Sequence, residues 1–400
     1  MRLALKIGLG LLIVIVLVGG SGFLWLRNSP YWAGITLFAE ANRVENFRAM
    51  DGVFPALDVP AGDDVWAFTA APHPLPDIYA FEGAARPVAA FLDETVTTGL
   101  LVVRDGAIVH EEYRLGADET SKLTSWSVAK SVVAALVGIA LEEGHIGSVD
   151  DVLTAYVPDL AGSGYDGVTI EDALTMSSGV AFDEDYDNPM SDVNRLFFTL
   201  AAGQSMADAL AALERAREPG TFNNYISSDT IALGLVLEAA TGVPNEAYLA
   251  TRLWQPMGAE RAAFWNTGRA GSVLPFCCIN ATLRDYARLG RLFLEGGARD
   301  GEQIVPRAWV ERSTRPSAPR LEPGDNPASS WSFGYGYHWW VPENPRDEFL
   351  AIGIWGQYVY VDRARQVVIV KTSADHDFDI RDHETVEVFR AIAAHVEPAT

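Results

Sequence analysis

Apolar positions along this chain fall into two rhythms. From 98 to 116, "TGLLVVRDGAIVHEEYRLG" alternates between apolar and polar residues on both sides of Asp105-Gly106, a dipeptide that closes tight hairpins. From 128 the period lengthens: the apolar residues of 128–143 recur at helical spacing, after a polar turn over Lys122 to Ser127 and before Gly144. "SVDDVLTAYVPDL" and "VTIEDALTMSSGV" read as short helices, the second capped by Thr169 with Glu171 and Asp172 in its first turn. Helical spacing returns at 204–218, where Pro219-Gly220 stops it, and at 228–240, 244–255 and 282–296. The last hundred residues change character. "SFGYGYHWWV", "FLAIGIWGQYVYVD" and "RQVVIVKTSA" predict strands, and "DHETVEVFRAIAAHV" a closing helix. Strands at both ends with helices between them predict a layered α/β (α+β) domain. Its first hairpin pairs with its late strands, and a helical lobe is inserted.

The N-terminus adds a separate expectation. Residues 7–26 carry no charge, follow Arg2 and Lys6, and are closed by Arg27, which predicts a membrane-spanning anchor over residues 1–27 with the body outside the cytoplasm. A cleaved signal peptide is the rival reading. The expected placement is thus a bacterial inner membrane, single-pass and periplasmic, or periplasmic after cleavage. Residues 28–80 read as a linker or strap, and 81–398 as the domain, with the helical part at about 145–300.

Composition narrows the partners. Of 400 residues 49% are hydrophobic, enough for a large core. Acidic residues number 53 against 30 basic, a formal charge of -23, which argues against contact with nucleic acid. Cys277 and Cys278 are the only cysteines and are adjacent, a spacing at which disulfides rarely form. They read as small buried residues on a turn. No His or Cys stands at metal spacing beside them, and His338 and His376 lack such partners too. No metal or cofactor is expected, and a homodimer is left open.

Candidate chemistry sits at the start of the 128–143 helix. Free backbone N–H groups there can stabilise an anion, so Ser127 could be both a nucleophile and part of an oxyanion hole. Lys130 lies one turn later on the same face, and a buried lysine loses its proton more easily. The competing reading makes Ser127 a helix cap and Lys130 a solvent-exposed residue.

Several ordered segments tip that balance. "SWSVAKS" resembles the Ser-x-x-Lys motif of serine beta-lactamase-like proteins, and "VTIEDALTMSSGV" the segment that follows it in class C beta-lactamases, related esterases and 6-aminohexanoate-oligomer hydrolases. "PGTFNNYISSDTIALGLVLEAATG" resembles the segment with their second motif, here Tyr225-Ile226-Ser227. "INATLRDYARLGRLFLEGG", with "YGYHWWV" and "GIWGQYVYVD", is similar to their site helix and closing strands. The resemblance covers roughly 85–395 and implies a beta-lactamase/transpeptidase-like fold, an antiparallel sheet flanked by helices with an inserted all-helical subdomain. It implies Ser127 as the acylated nucleophile, Lys130 as its base and Tyr225 as the proton shuttle. Ser227 would support them, and backbone N–H groups of Ser127 and of Gln357 or Tyr358 would hold the oxyanion.

Departures from the family shape the substrate. Penicillin-reacting members carry Lys-Thr-Gly on a late strand, where this chain is read as Trp355-Gly356-Gln357; "VKTSA" comes a strand too late. "DEDYDNP" is similar to a loop that supplies a second tyrosine, here Tyr186. Asn280 could face the pocket or cap the next helix; Trp339, Trp340 and Trp355 could wall the pocket or fill the core. These readings imply a metal-free amidase of the 6-aminohexanoate-oligomer type acting on a small amide or ester. The alternatives are a carboxylesterase, a D-aminoacyl peptidase, and a membrane-anchored sensor that does not turn over.

Overall fold

The computed structural model describes residues 2–28 and 31–396. Its main sheet has eight strands: β1 (Thr69–Ala70), β2 (Thr97–Arg104), β3 (Ala107–Tyr113), β4 (Gly334–Tyr335), β5 (Trp340–Val341), β6 (Glu348–Gly353), β7 (Gln357–Asp362) and β8 (Val367–Ser373). Their order is β4-β5-β6-β7-β8-β2-β3-β1, antiparallel throughout except at the edge pair β1–β3. The early hairpin therefore joins the late strands through β8 and β2, from Val367 opposite Arg104 to Lys371 opposite Leu100. Asp105 and Gly106 close that hairpin with φ of 46° and 74°. Two positive values are what the tight turn demands, and Gly supplies one of them without steric cost.

Helix α1 (Val128–Glu142) is the central rod of the molecule, buried without a break from Val128 to Ala140. A helix apolar on all sides needs partners on all sides. One flank meets β6 and β7, and the other meets α2 (Ser227–Thr241) of the helical part. Helix α3 (Leu283–Leu294) and the closing helix α4 (Asp382–His395) cover opposite faces of the sheet. The fold is the expected beta-lactamase/transpeptidase-like α/β architecture with a helical subdomain.

Local readings held unevenly. Thr169 caps its helix through a reciprocal box with Asp172. The 148–160 stretch forms only 3-10 turns, and the helix expected over 204–218 stops at Ala211. Beyond it the chain pairs in extended form, Arg215 with Val180. A helix at Asp192–Ala202, capped by Ser191, had not been anticipated. Residues of the expected strap belong to the core: Leu37, Phe47, Met50, Val59 and Trp66 are buried in it, and Ala56–Val59 adds a strand to a small sheet.

Two expectations need correction. A helix does form over Arg2–Arg27, but among the described residues no helix is long and apolar enough to cross a membrane. Its C-terminal half is interrupted by Gly19, Gly20, Ser21 and Gly22, less apolar than the residues before them, and it ends on Arg27. The transmembrane anchor, the membrane as a partner and the single-pass inner-membrane placement are therefore withdrawn. The second correction concerns Cys277 and Cys278, which are joined in a disulfide. Adjacent cysteines can close a small ring within a turn, and here that turn is buried. Residue 1, residues 29 and 30 of the strap, and residues 397 and 398 at the domain's expected end lie outside the described residues.

Candidate active site

Ser127 stands at the N-terminus of α1, yet its side chain caps nothing. Instead its Oγ accepts a hydrogen bond from Lys130 Nζ at 2.9 Å. Trp126, just before it, has φ of 41°, a left-handed conformation that a bulky residue adopts only at a cost, and it turns Ser127 toward the cavity. The serine is 7% exposed and lines a cavity of about 390 Å³. Both halves of the competing reading, a capping serine and a solvent-exposed lysine, are absent here.

Lys130 is 1% exposed. Besides Ser127 it donates to Ser227 Oγ at 3.2 Å and to the Phe276 carbonyl at 3.0 Å. Burial pulls its ammonium down to about 8, with the Glu184 carboxylate opposing the fall. These partners also fix the direction of the neutral amine. Ser227 Oγ gives its single proton to Glu184 Oε1 at 2.5 Å, so toward Lys130 it can only accept. The Phe276 carbonyl can only accept as well. Two N–H bonds are thereby taken, and the amine's lone pair is left for the Ser127 hydroxyl.

Tyr225 comes from the extended segment ahead of α2. Asn223, which donates to the Thr175 carbonyl at 2.8 Å, and the Asn224 N–H, which donates to the Met176 carbonyl at 2.7 Å, hold that segment. The ring lies 5.2 Å from Trp340, with Lys130 Nζ 4.9 Å above its centroid. Burial first, and the Glu184 charge second, push the phenol far above its ordinary value, while a hydrogen bond with Ser127 opposes the rise. It is a neutral phenol, able to give a proton.

Tyr186 reaches the same cavity and donates to Glu184 Oε1 at 2.5 Å. Of the remaining predicted residues Trp340 alone lines the cavity. Asn280 is buried, bonded to Asn266 and the Cys278 carbonyl, and Thr282 caps the following helix. Trp355 is not part of the cavity lining and stacks on Phe38 and on His376, which does line it, and Gly356 packs on Ser373 and Lys371. Gln357 spends its side chain on the Trp355 and Ser373 carbonyls, and Tyr358 donates to Asp382. The strand edge beside Ser127 comes earlier. A Cβ on Gly353 would stand 2.5 Å from the Ser125 carbonyl and 3.0 Å from Ser127 N, so only glycine permits this approach, and Ile352 and Ile354 line the cavity. Lys371 of "VKTSA" is buried against Phe91 and Tyr358 and donates to Ser373, away from the cavity.

Glu184 is the residue the sequence did not single out. Its carboxylate accepts from the Ser227 N–H at 2.8 Å, at the positive end of α2. Burial pushes it up, and Lys130 and its hydrogen bonds pull it back. As one acid in an acidic loop it gave no signal. Asp185, Asp187, Asp379 and Asp382 extend the same wall, and Trp331, Trp340 and Phe378 supply the apolar surface. Among the described residues no Lys or Arg lines the cavity, and no group of three or more His, Cys, Asp or Glu could hold a metal ion.

The chain is similar to several known hydrolases. The 6-aminohexanoate-dimer hydrolase of Paenarthrobacter ureafaciens is 33% identical over 299 residues, 72% of this chain and 76% of that protein. A Bacillus anthracis structure provisionally described as a 6-aminohexanoate-dimer hydrolase superposes with a TM-score of 0.82 at 24% identity, covering 91% of this chain and 97% of the other. A family VIII carboxylesterase follows at 0.61 and 19%, covering 77% and 95%. The beta-lactamase family model matches residues 84–389, and the chain belongs to that family of serine hydrolases.

Proposed function

We propose that this protein hydrolyses a small linear amide of the 6-aminohexanoate-oligomer type through an acyl-Ser127 intermediate. One observation carries the reading: Lys130, buried and brought down to about 8, points its one uncommitted position at Ser127 Oγ 2.9 Å away. At pH 7 about a tenth of such a lysine is neutral, enough for a general base. Neutral Lys130 takes the Ser127 proton as Oγ attacks the substrate carbonyl carbon. The oxyanion forms against the N–H of Ser127, at the positive end of α1, and that of Ile354, which follows Gly353. Tyr225 then gives its proton to the departing nitrogen and is reprotonated by Lys130. Water reverses these steps to free the acid and Ser127.

A neutral tyrosine beside the nucleophile supports an amide over an ester, because an amine departs only with a proton whereas an alkoxide needs less help. The cavity supports a substrate with an amino end. Its acidic wall attracts an ammonium group, and the missing Lys or Arg leaves without a partner a carboxylate held one carbon from the scissile nitrogen, as in penicillins or D-alanyl peptides; the carboxylate of a 6-aminohexanoate oligomer is five methylenes away and can reach solvent. The test combines intact mass after a fluorophosphonate probe with turnover of 6-aminohexanoate dimer and a p-nitrophenyl ester, beside Ser127→Ala. Labelling and turnover should both vanish in the variant. A wild type that neither labels nor turns over refutes the mechanism; ester turnover without amide turnover moves the reading to a carboxylesterase.

A further inference from the structure

The disulfide lies one residue from the carbonyl that directs Lys130. Phe276, whose carbonyl accepts from Lys130 Nζ at 3.0 Å, immediately precedes Cys277. Behind the disulfide, Ile279 exchanges two hydrogen bonds with the nucleophile segment: its carbonyl accepts from the Ser125 N–H at 2.7 Å, and its N–H donates to Ser125 Oγ at 3.0 Å. Segment 276–279 thus grips segment 125–130 on both sides of the bridged pair. The turn is also held from behind. The Cys277 carbonyl accepts from the Trp265 indole at 2.8 Å, and the Cys278 carbonyl accepts from the Asn280 amide at 2.8 Å. Cys278 has φ of 71°, the left-handed region, which an unbridged cysteine has little reason to keep.

We infer that the Cys277–Cys278 disulfide is a positioning element for Lys130, so that acylation of Ser127 depends on the oxidised state of this pair. The inference rests on the proposed roles of Ser127 and Lys130. Its logic is directional. With the Phe276 carbonyl in place both N–H bonds of the neutral amine are committed and the lone pair meets the serine proton; with the turn released, one N–H is free and the amine can rotate away. Reduction is ordinary thiol–disulfide exchange. A dithiol's thiolate attacks one sulfur and expels the other as a thiolate, and the dithiol's second sulfur closes its own disulfide and frees the first. Two electrons pass to the protein, which takes up two protons to leave two thiols. Both cysteines are at most 2% exposed, so the reduced form is best made by expression in a reducing cytoplasm and the oxidised form in an oxidising one.

The experiment compares the oxidised protein, the reduced protein and the Cys277→Ala/Cys278→Ala variant, with redox state read by intact mass after thiol alkylation and folding by circular dichroism. On a p-nitrophenyl ester, kcat should fall roughly ten-fold or more in both altered forms while KM changes less than about two-fold, and reoxidation should restore the wild type. The acid limb of the pH–rate profile should also move to lower pH, because a carbonyl acceptor that favours the ammonium has been lost. A role confined to stability would lower the melting temperature and leave kcat and the acid limb of the folded protein unchanged, and that result overturns the inference alone. An oxidised wild type without turnover or Ser127 labelling overturns it together with the proposed mechanism. If the alanine variant does not fold, the reduced wild type decides.

Discussion

Glu184→Gln tests the electrostatic part of the mechanism. The substitution keeps the shape of the side chain and one acceptor oxygen for Ser227 Oγ and Tyr186, gives up the bond from the Ser227 N–H, and removes a negative charge from the neighbourhood of Lys130. Glu184 Oε1 is 2.5 Å from Ser227 Oγ, and Lys130 Nζ is 3.2 Å from the same oxygen, so the two charges are at most about 6 Å apart. At an effective dielectric constant of about 20 their attraction is about 3 kcal/mol, or about 2 pKa units, and at the dielectric constant of water about a quarter of that. The cavity opens to solvent on one side, so a fall of about 1 unit is the working figure. Lys130 acts as a base only when neutral. Wild-type kcat/KM should therefore rise with pH through about 8, and the variant's through about 7.

The assay is initial-rate hydrolysis of an uncharged p-nitrophenyl ester from pH 5.5 to 10, with enzyme stability checked at each pH. A less basic lysine is a weaker base, so the variant's plateau should drop by several-fold even as its acid limb moves down. Position and height of the limb are thus separate readings. An acid limb that stays near pH 8, or moves up, refutes the claim that Glu184 sets the protonation of Lys130. The carboxylate would then act only by orienting Ser227.

Tyr225→Phe should cut amide turnover by about 10²-fold or more and turnover of an activated p-nitrophenyl ester far less, since nitrophenolate leaves without a proton; equal losses on both would remove Tyr225 from leaving-group protonation. Gly353→Ala places a methyl group 3.0 Å from Ser127 N and 2.5 Å from the Ser125 carbonyl, so kcat should fall about 10²-fold with KM nearly constant, and an unimpaired variant would move the oxyanion site away from this strand end. Asp229, buried beside the Tyr165 hydroxyl, is pushed by burial up to about 8, so the folded state keeps a proton that the unfolded chain loses near pH 4. Its contribution is complete below that pH and is lost as pH rises to 8. Chemical denaturation should show wild-type stability falling across this window and Asp229→Asn gaining about 1–3 kcal/mol at pH 8; parallel curves for the two proteins refute a neutral Asp229.

What could be read from the sequence follows the range over which each interaction acts. Ser127 and Lys130 are one helical turn apart, so their meeting is set by local geometry once 128–143 is helical. The hairpin at Asp105-Gly106 and the Thr169 box are equally local. Tyr225 required the resemblance, because nothing within its own segment distinguishes a proton donor from a packed ring. The strand edge was placed three to four residues late because Gly353 and Gly356 bound the same hairpin, and only packing against Ser125 and Ser127 selects Gly353. The N-terminal run shows the opposite failure: absence of charge over 7–26 suggests a span, yet among the described residues no helix is long and apolar enough to cross a membrane. The least legible part is the one that aims the base. Lys130 meets Ser227 97 residues away and the Phe276 carbonyl 146 residues away. A backbone carbonyl has no side-chain signature, and Glu184 looks like its acidic neighbours until its loop folds over the N-terminus of α2. Residue types announce which groups can exchange protons; the direction in which a lysine's lone pair points is a property of the folded chain alone.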